Sequence, residues 1–297
     1  MTTTIATPSL DGKKTMQTNW IQRFSVFIVF LICGLAIFVF GSNYFDLFPT
    51  NKNLTYNLSL SAALLAAAIG LKYSRRWHGY WQSTFAFFIA SVAFPLTSIF
   101  SRWTDTVLGW FHTSTAVSQG IAIAKGYEML LIVLPILALT KLSGADLGSI
   151  FLKRGNLKWG LSIGGLVLFN FASSAFLFFG TRFTSMDRLG ATVVWGLVFS
   201  FANGFMEELW LRGIFLKRFE PVLGLSGSVL LTSIVFALMH CGATYLTPIA
   251  IPFILAYALT LGLACGYLMM KTDNIWGAVL IHAAADFFAF LAMFANT

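Results

Sequence analysis

The chain has 297 residues, 58% hydrophobic and 10% charged, with a net charge of +8 and a mean hydropathy of +0.79. Soluble domains carry about a quarter charged residues, so a water-soluble globular fold is excluded. The basic excess does not point to nucleic acid, because the basic residues of membrane proteins collect in cytoplasmic loops.

Residues 1–23 are polar and Thr-rich and read as a flexible cytoplasmic tail. Apolar runs follow near 24–41, 57–71, 81–101, 117–140, 159–180, 190–216, 226–246, 249–270 and 275–295. Each approaches the length that crosses ~30 Å of hydrocarbon. None alternates with period two, so they are expected to be helices rather than barrel strands. The expected fold class is therefore all-α, a polytopic transmembrane helix bundle of about eight to nine spans, with the run at 57–71 the shortest. With the N-terminus placed in the cytoplasm, 13 basic residues fall on the inner side and 4 on the outer, leaving Lys125 and Arg212 in the membrane. That asymmetry is the one the positive-inside rule expects.

Residues 24–116 are read as N-terminal membrane helices, and 117–297 as a membrane-embedded core. The connection at 141–158 reads as a short amphipathic cytoplasmic segment. Asn53 and Asn57 each open an N-x-S/T glycosylation triplet on the expected outer loop. Cys33, Cys241 and Cys265 sit in apolar runs without disulfide or zinc spacing, and read as small buried hydrophobes. No cleavable signal peptide is read at the start, and the last four residues do not form a CaaX box. The expected location is a multi-pass integral membrane protein, in the plasma (inner) membrane of a bacterium or the endoplasmic reticulum of a eukaryote.

Ionisable groups at bilayer depth are costly and face partners or water-filled cavities. Three sets of them stand in late runs: Glu207-Glu208-x-x-x-Arg212, Phe236-x-x-x-His240 and His282-x-x-x-Asp286. Glu208 and Arg212 are one helical turn apart and can pair. Glu207 is rotated by about 100° from Glu208, so it can face a cavity while Arg212 holds its neighbour. At ~1.5 Å per residue, Glu207, His240, His282 and Asp286 lie roughly 10–21 Å from the expected cytoplasmic ends, in one layer. Lys125 and Glu128, three apart, are expected to pair locally or to reach toward the interface.

A deep carboxylate beside a histidine can hold and deprotonate a water. A second histidine with a hydrogen-bonding partner can stabilise an oxyanion. Together they suit amide hydrolysis in a water-filled pocket open to the cytoplasm. The same donors, Glu207, His240, His282 and Asp286, can also bind zinc with an open position. The preferred reading requires no cofactor.

At these motifs the sequence resembles the CPBP family, which contains the type II CAAX prenyl endopeptidases and the bacteriocin-processing and immunity proteins. The resemblance covers about residues 190–290. It implies an intramembrane endopeptidase acting on a membrane-associated or lipidated peptide or protein in the lipid bilayer. Carried over, Glu207 activates water with His240, Arg212 and Glu208 support it, and His282 and Asp286 form the oxyanion side. The eukaryotic prenyl endopeptidases have asparagine where this chain has Asp286. A non-proteolytic scaffold or immunity protein is the alternative, and a transporter the second; no nucleic-acid partner is expected. The sequence specifies no oligomeric state.

Overall fold

The computed structural model describes residues 19–42, 49–243 and 250–295. Among them are ten α-helices: α1 (Trp20–Leu35), α2 (Thr50–Tyr73), α3 (Trp81–Phe100), α4 (Thr104–Trp110), α5 (Ser118–Leu142), α6 (Leu157–Phe179), α7 (Met186–Glu208), α8 (Leu216–Ala243), α9 (Ile251–Thr272) and α10 (Trp276–Phe294). No described residue is in a strand. Nine of the helical segments are long and apolar enough to cross a membrane, and they correspond one to one with the nine apolar runs. The chain is an all-α, multi-pass membrane protein. Most of the tail at 1–23 lies outside the described residues.

Helix ends follow local chemistry. Asn19 and Gln22 form a reciprocal cap at α1, and Ser185 caps α7 through the Arg188 amide, each satisfying backbone donors that a helix start leaves open. α8 is interrupted at Gly224, whose φ of 73° is outside helical space. A side chain there would be strained, so glycine suits the break.

The outer faces meet lipid. Leu166, Phe169 and Leu177 on α6 are 70–82% exposed, which is tolerable only against acyl chains. Inside the bundle, α10 packs on α6, α7 and α9, while α8 packs on α9 and α1. The α6–α10 crossing is close because it is built on glycine. A Cβ on Gly164 would stand 2.7 Å from the Gly277 carbonyl, a contact real side chains do not make. Small residues at helix crossings permit such approach in membranes.

One expectation is corrected. The helix over 57–71 is longer than its apolar run, beginning at Thr50. Asn53 and Asn57 lie on it rather than on an outer loop, with 4% and 2% exposure. Asn57 Nδ2 donates to the Gly41 carbonyl at 2.9 Å and to Asn53 Oδ1. Asn57 thus bonds outside its own helix, Asn53 supports it within α2, and both side chains are buried rather than displayed on a loop. The segment 141–158 packs its apolar residues on the bundle. Ile150 and Phe151 are buried, Phe151 accepts from the Ile275 amide and Thr272 from the Asn156 amide. Lys217 Nζ reaches the Gly148 carbonyl.

At this end of the bundle Asp273 holds Lys153 and Lys217, the latter at 2.6 Å. Burial pushes the Asp273 carboxyl up, but hydrogen bonds and charge from both lysines prevail and hold it below the usual carboxylate range. The Asp273 hydrogen bond in turn raises Lys153 above the usual lysine range. The Asp273 contribution is complete above an ordinary pKa of ~3.9 and is lost as pH falls through the depressed folded value. The Lys153 contribution is complete below ~10.4 and is lost as pH rises through the raised one. Asp273 is 46% exposed, so solvent screening keeps the bridge small. Asp273→Asn is expected to cost under ~1 kcal/mol at neutral pH and nothing in strong acid, read as a melting-temperature difference that closes on acidification.

Candidate active site

The site begins where α7 ends. After Glu208 the chain makes a π-helical turn, Leu209–Gly213, before α8. Such turns are rare and cluster at functional positions. All five residues of the turn are buried. Trp210 Nε1 donates to the Ala90 carbonyl of α3 at 2.9 Å. From this braced turn Arg212 projects inward and is fully buried.

Arg212 Nη1 meets Glu208 Oε1 at 2.5 Å, the i,i+4 pair read from the sequence. Its guanidinium also lies over the Phe236 ring of α8, 4.3 Å from the centroid. A Cβ on Gly262 of α9 would stand 2.9 Å from Arg212 Nη2, so the absent side chain makes room for the guanidinium. The same Glu208 Oε1 accepts from His282 Nδ1 of α10 at 2.8 Å. One carboxylate therefore ties the π-turn to α10, a second partner the sequence reading did not assign. The signal was there: a buried carboxylate can accept from several donors, and one arginine does not exhaust it.

Glu207 points away from this pair. Its Oε2 is 3.7 Å from His240 Nε2 and 3.7 Å from His282 Nε2, and forms no hydrogen bond among the described residues. His240 Nδ1 engages the Phe236 carbonyl at 2.8 Å. In the neutral ring that bond puts the proton on Nδ1, so Nε2 is the acceptor turned toward Glu207. The Phe236 ring packs on both imidazoles, 4.2 Å from His240 and 5.5 Å from His282. Phe236 thus aligns three of the polar side chains, a role the FxxxH spacing carried but the reading did not assign. Asp286 Oδ2 lies 3.9 Å from His282 Nε2. Its hydrogen bond runs instead from Asn203 Nδ2 at 3.0 Å.

All six residues singled out from the sequence thus meet in one place, from α7, the π-turn, α8 and α10. Lys125 and Glu128 pair at 2.7 Å. A cavity of about 170 Å³ borders Glu207, with Ser42, Thr97, Glu128, Met206 and Met239 among its walls. Thr97 and Glu128 also line a second cavity of about 320 Å³ between α3, α4 and α5. That second space lies at the ends of α3 and α5 opposite Trp81 and Lys141.

Two imidazoles and two carboxylates are reasonable zinc donors. Among the described residues, however, no group of three or more His, Cys, Asp or Glu side chains is arranged to hold a metal ion.

Residues 189–288, which contain the whole constellation, match the family model described as type II CAAX prenyl endopeptidase Rce1-like. Over that stretch the chain is similar to the CPBP family, and the match supports that family for it. The match takes in α7 from Leu189, the π-turn, α8, α9 and most of α10. No curated protein and no solved structure matches the chain.

Proposed function

We propose that this CPBP-family membrane protein is an intramembrane endopeptidase that hydrolyses a peptide bond of a membrane-associated or lipidated substrate. The observation that carries the reading is Glu207 Oε2, buried, without a hydrogen bond among the described residues, and 3.7 Å from two imidazole Nε2 atoms. That separation is too long for a direct hydrogen bond and short enough for one water to bond to both sides.

In this reading Glu207 takes a proton from the water, with His240 Nε2 orienting it. The hydroxide adds to the substrate carbonyl, and the proton passes to the leaving amine. His282 acts as the imidazolium, in which both ring nitrogens carry a proton: Nδ1 donates to Glu208 and Nε2 donates to the oxyanion. Glu208 and Arg212 hold that ring and carry no proton in the step. The reading requires no metal. The Lys125–Glu128 pair lies on the wall of the approach rather than at the reacting atoms.

The test is cleavage of a farnesylated CAAX peptide, and of the same peptide without the lipid, by the purified protein in proteoliposomes. Activity should persist in chelator and vanish in the Glu207 variant. Loss in chelator with recovery on adding zinc would overturn the metal-free mechanism. A biological effect retained by both the Glu207 and the His240→Ala variants would favour the scaffold reading.

The cavity supplies a further expected result. At ~30 Å³ per water it accommodates several waters beside Glu207. Thr97 lines both cavities, so Thr97→Phe would crowd the wall they share and is expected to lower kcat/KM by about tenfold, a barrier change of ~1.4 kcal/mol. An unchanged rate shows that water and substrate reach Glu207 by another route.

A further inference from the structure

Asp286 raises a chemical difficulty on the oxyanion side, since an ionised carboxylate accepts hydrogen bonds and donates none. The structure brings an amide to it from another helix. Asn203 lies on α7 one turn before Glu207, so the two side chains share a helix face. It is 7% exposed. Its Nδ2 donates to Asp286 Oδ2 at 3.0 Å, and its Oδ1 is buried with no hydrogen-bond partner among the described residues.

The neighbouring residue makes the approach feasible. A Cβ on Gly204 would stand 3.2 Å from the Ala283 amide and 3.4 Å from His282 Cβ, so α7 and α10 are in close contact here. An amide in such a gap has little rotamer freedom. With Oδ2 engaged by Asn203, the Asp286 carboxylate rests 3.9 Å from His282 Nε2 instead of closing on the ring. His282 Nε2 then stays between Asp286 and Glu207. Unopposed, a carboxylate this near an imidazole would draw the ring's N–H into a direct bond and remove it from an oxyanion.

We propose that Asn203 is a positioning residue for the hydrolytic reaction, acting through Asp286. It fixes the carboxylate, keeps His282 Nε2 directed at the reacting centre, and supplies the amide that Asp286 lacks. The inference rests on the endopeptidase reading and adds a residue to it.

The pair can be tested by exchanging its members. Asn203→Asp places two carboxylates against each other. It should lower kcat by about 10- to 100-fold, the range of one charge-assisted hydrogen bond, with KM nearly unchanged. The double exchange Asn203→Asp with Asp286→Asn restores an amide–carboxylate bond in the opposite sense, and should recover kcat to within about tenfold of wild type. An Asn203→Asp enzyme with wild-type kcat, or a double variant no faster than Asn203→Asp, overturns the proposal.

Thermal unfolding of the wild type, both single variants and the double variant in one detergent reads the pairing without catalysis. The double variant should melt above Asn203→Asp, and equal melting temperatures would count against the bond. If Asn203→Asp does not accumulate, normal accumulation of the double variant supports the pairing, and failure of both defeats it. Thermal coupling without cleavage by any of the four proteins, wild type included, removes the endopeptidase reading and the role of Asn203 within it.

Discussion

Glu207→Gln is expected to lower peptide cleavage by about 10³-fold or more while leaving the protein folded, the upper part of the range for loss of a general base. Glutamine keeps the size and shape of the side chain and removes the group that accepts the proton. Glu207 Oε2 forms no hydrogen bond among the described residues, so the substitution breaks no bond of that oxygen. Its melting temperature should match wild type within a few degrees, the scale of a change under ~1 kcal/mol in a chain of this size. His240→Ala should cost less, about 10²-fold, because it orients the water without receiving its proton. The contrast with Glu208 sharpens the test. Glu208→Gln weakens the links to Arg212 and His282 together, so its loss of rate should come with a loss of stability. If Glu207→Gln keeps more than about a tenth of wild-type turnover, less than ~1.4 kcal/mol in barrier, Glu207 is not the base.

The fold was legible because its signals are local. Nine apolar runs without period-two alternation can cross a bilayer only as helices, and nine such helices are present among the described residues. The pair Glu208–Arg212 was legible for the same reason, since four residues on a helix fix its geometry. Contacts between helices were not. Nothing in the spacing of α7 and α10 says that Asn203 rather than His282 bonds Asp286. That choice is set by how closely Gly204 lets the helices approach. Asn53 and Asn57 failed in the opposite direction. Their polarity shortened the apparent apolar run, whereas their amides turn inward, and Asn57 bonds the Gly41 carbonyl. In a bilayer, polarity within a run marks an interhelical bond as readily as a loop.

Arg212→Met is the other substitution with a large expected effect. Arg212 and Glu208 are both fully buried. Removing one partner of such a pair typically costs 3–5 kcal/mol, because the remaining charge has no compensation. Here His282 Nδ1 still reaches Glu208, which places the expected loss near ~3 kcal/mol. Lysine should not rescue it, since an ammonium reproduces neither the planar fork nor the stacking over Phe236. The informative partner is the double variant Arg212→Met with Glu208→Gln. It removes both charges, leaves an amide to accept from His282, and should recover at least half of the lost stability. Unfolding in detergent, followed by thermal or denaturant melting, measures all three proteins. A cost below ~1 kcal/mol for Arg212→Met, the level of an exposed pair, would mean that the guanidinium does not hold Glu208. Recovery of stability without recovery of cleavage would separate two tasks. The charge pair would then be needed to set the His282 ring for chemistry, over and above holding α7 to α10.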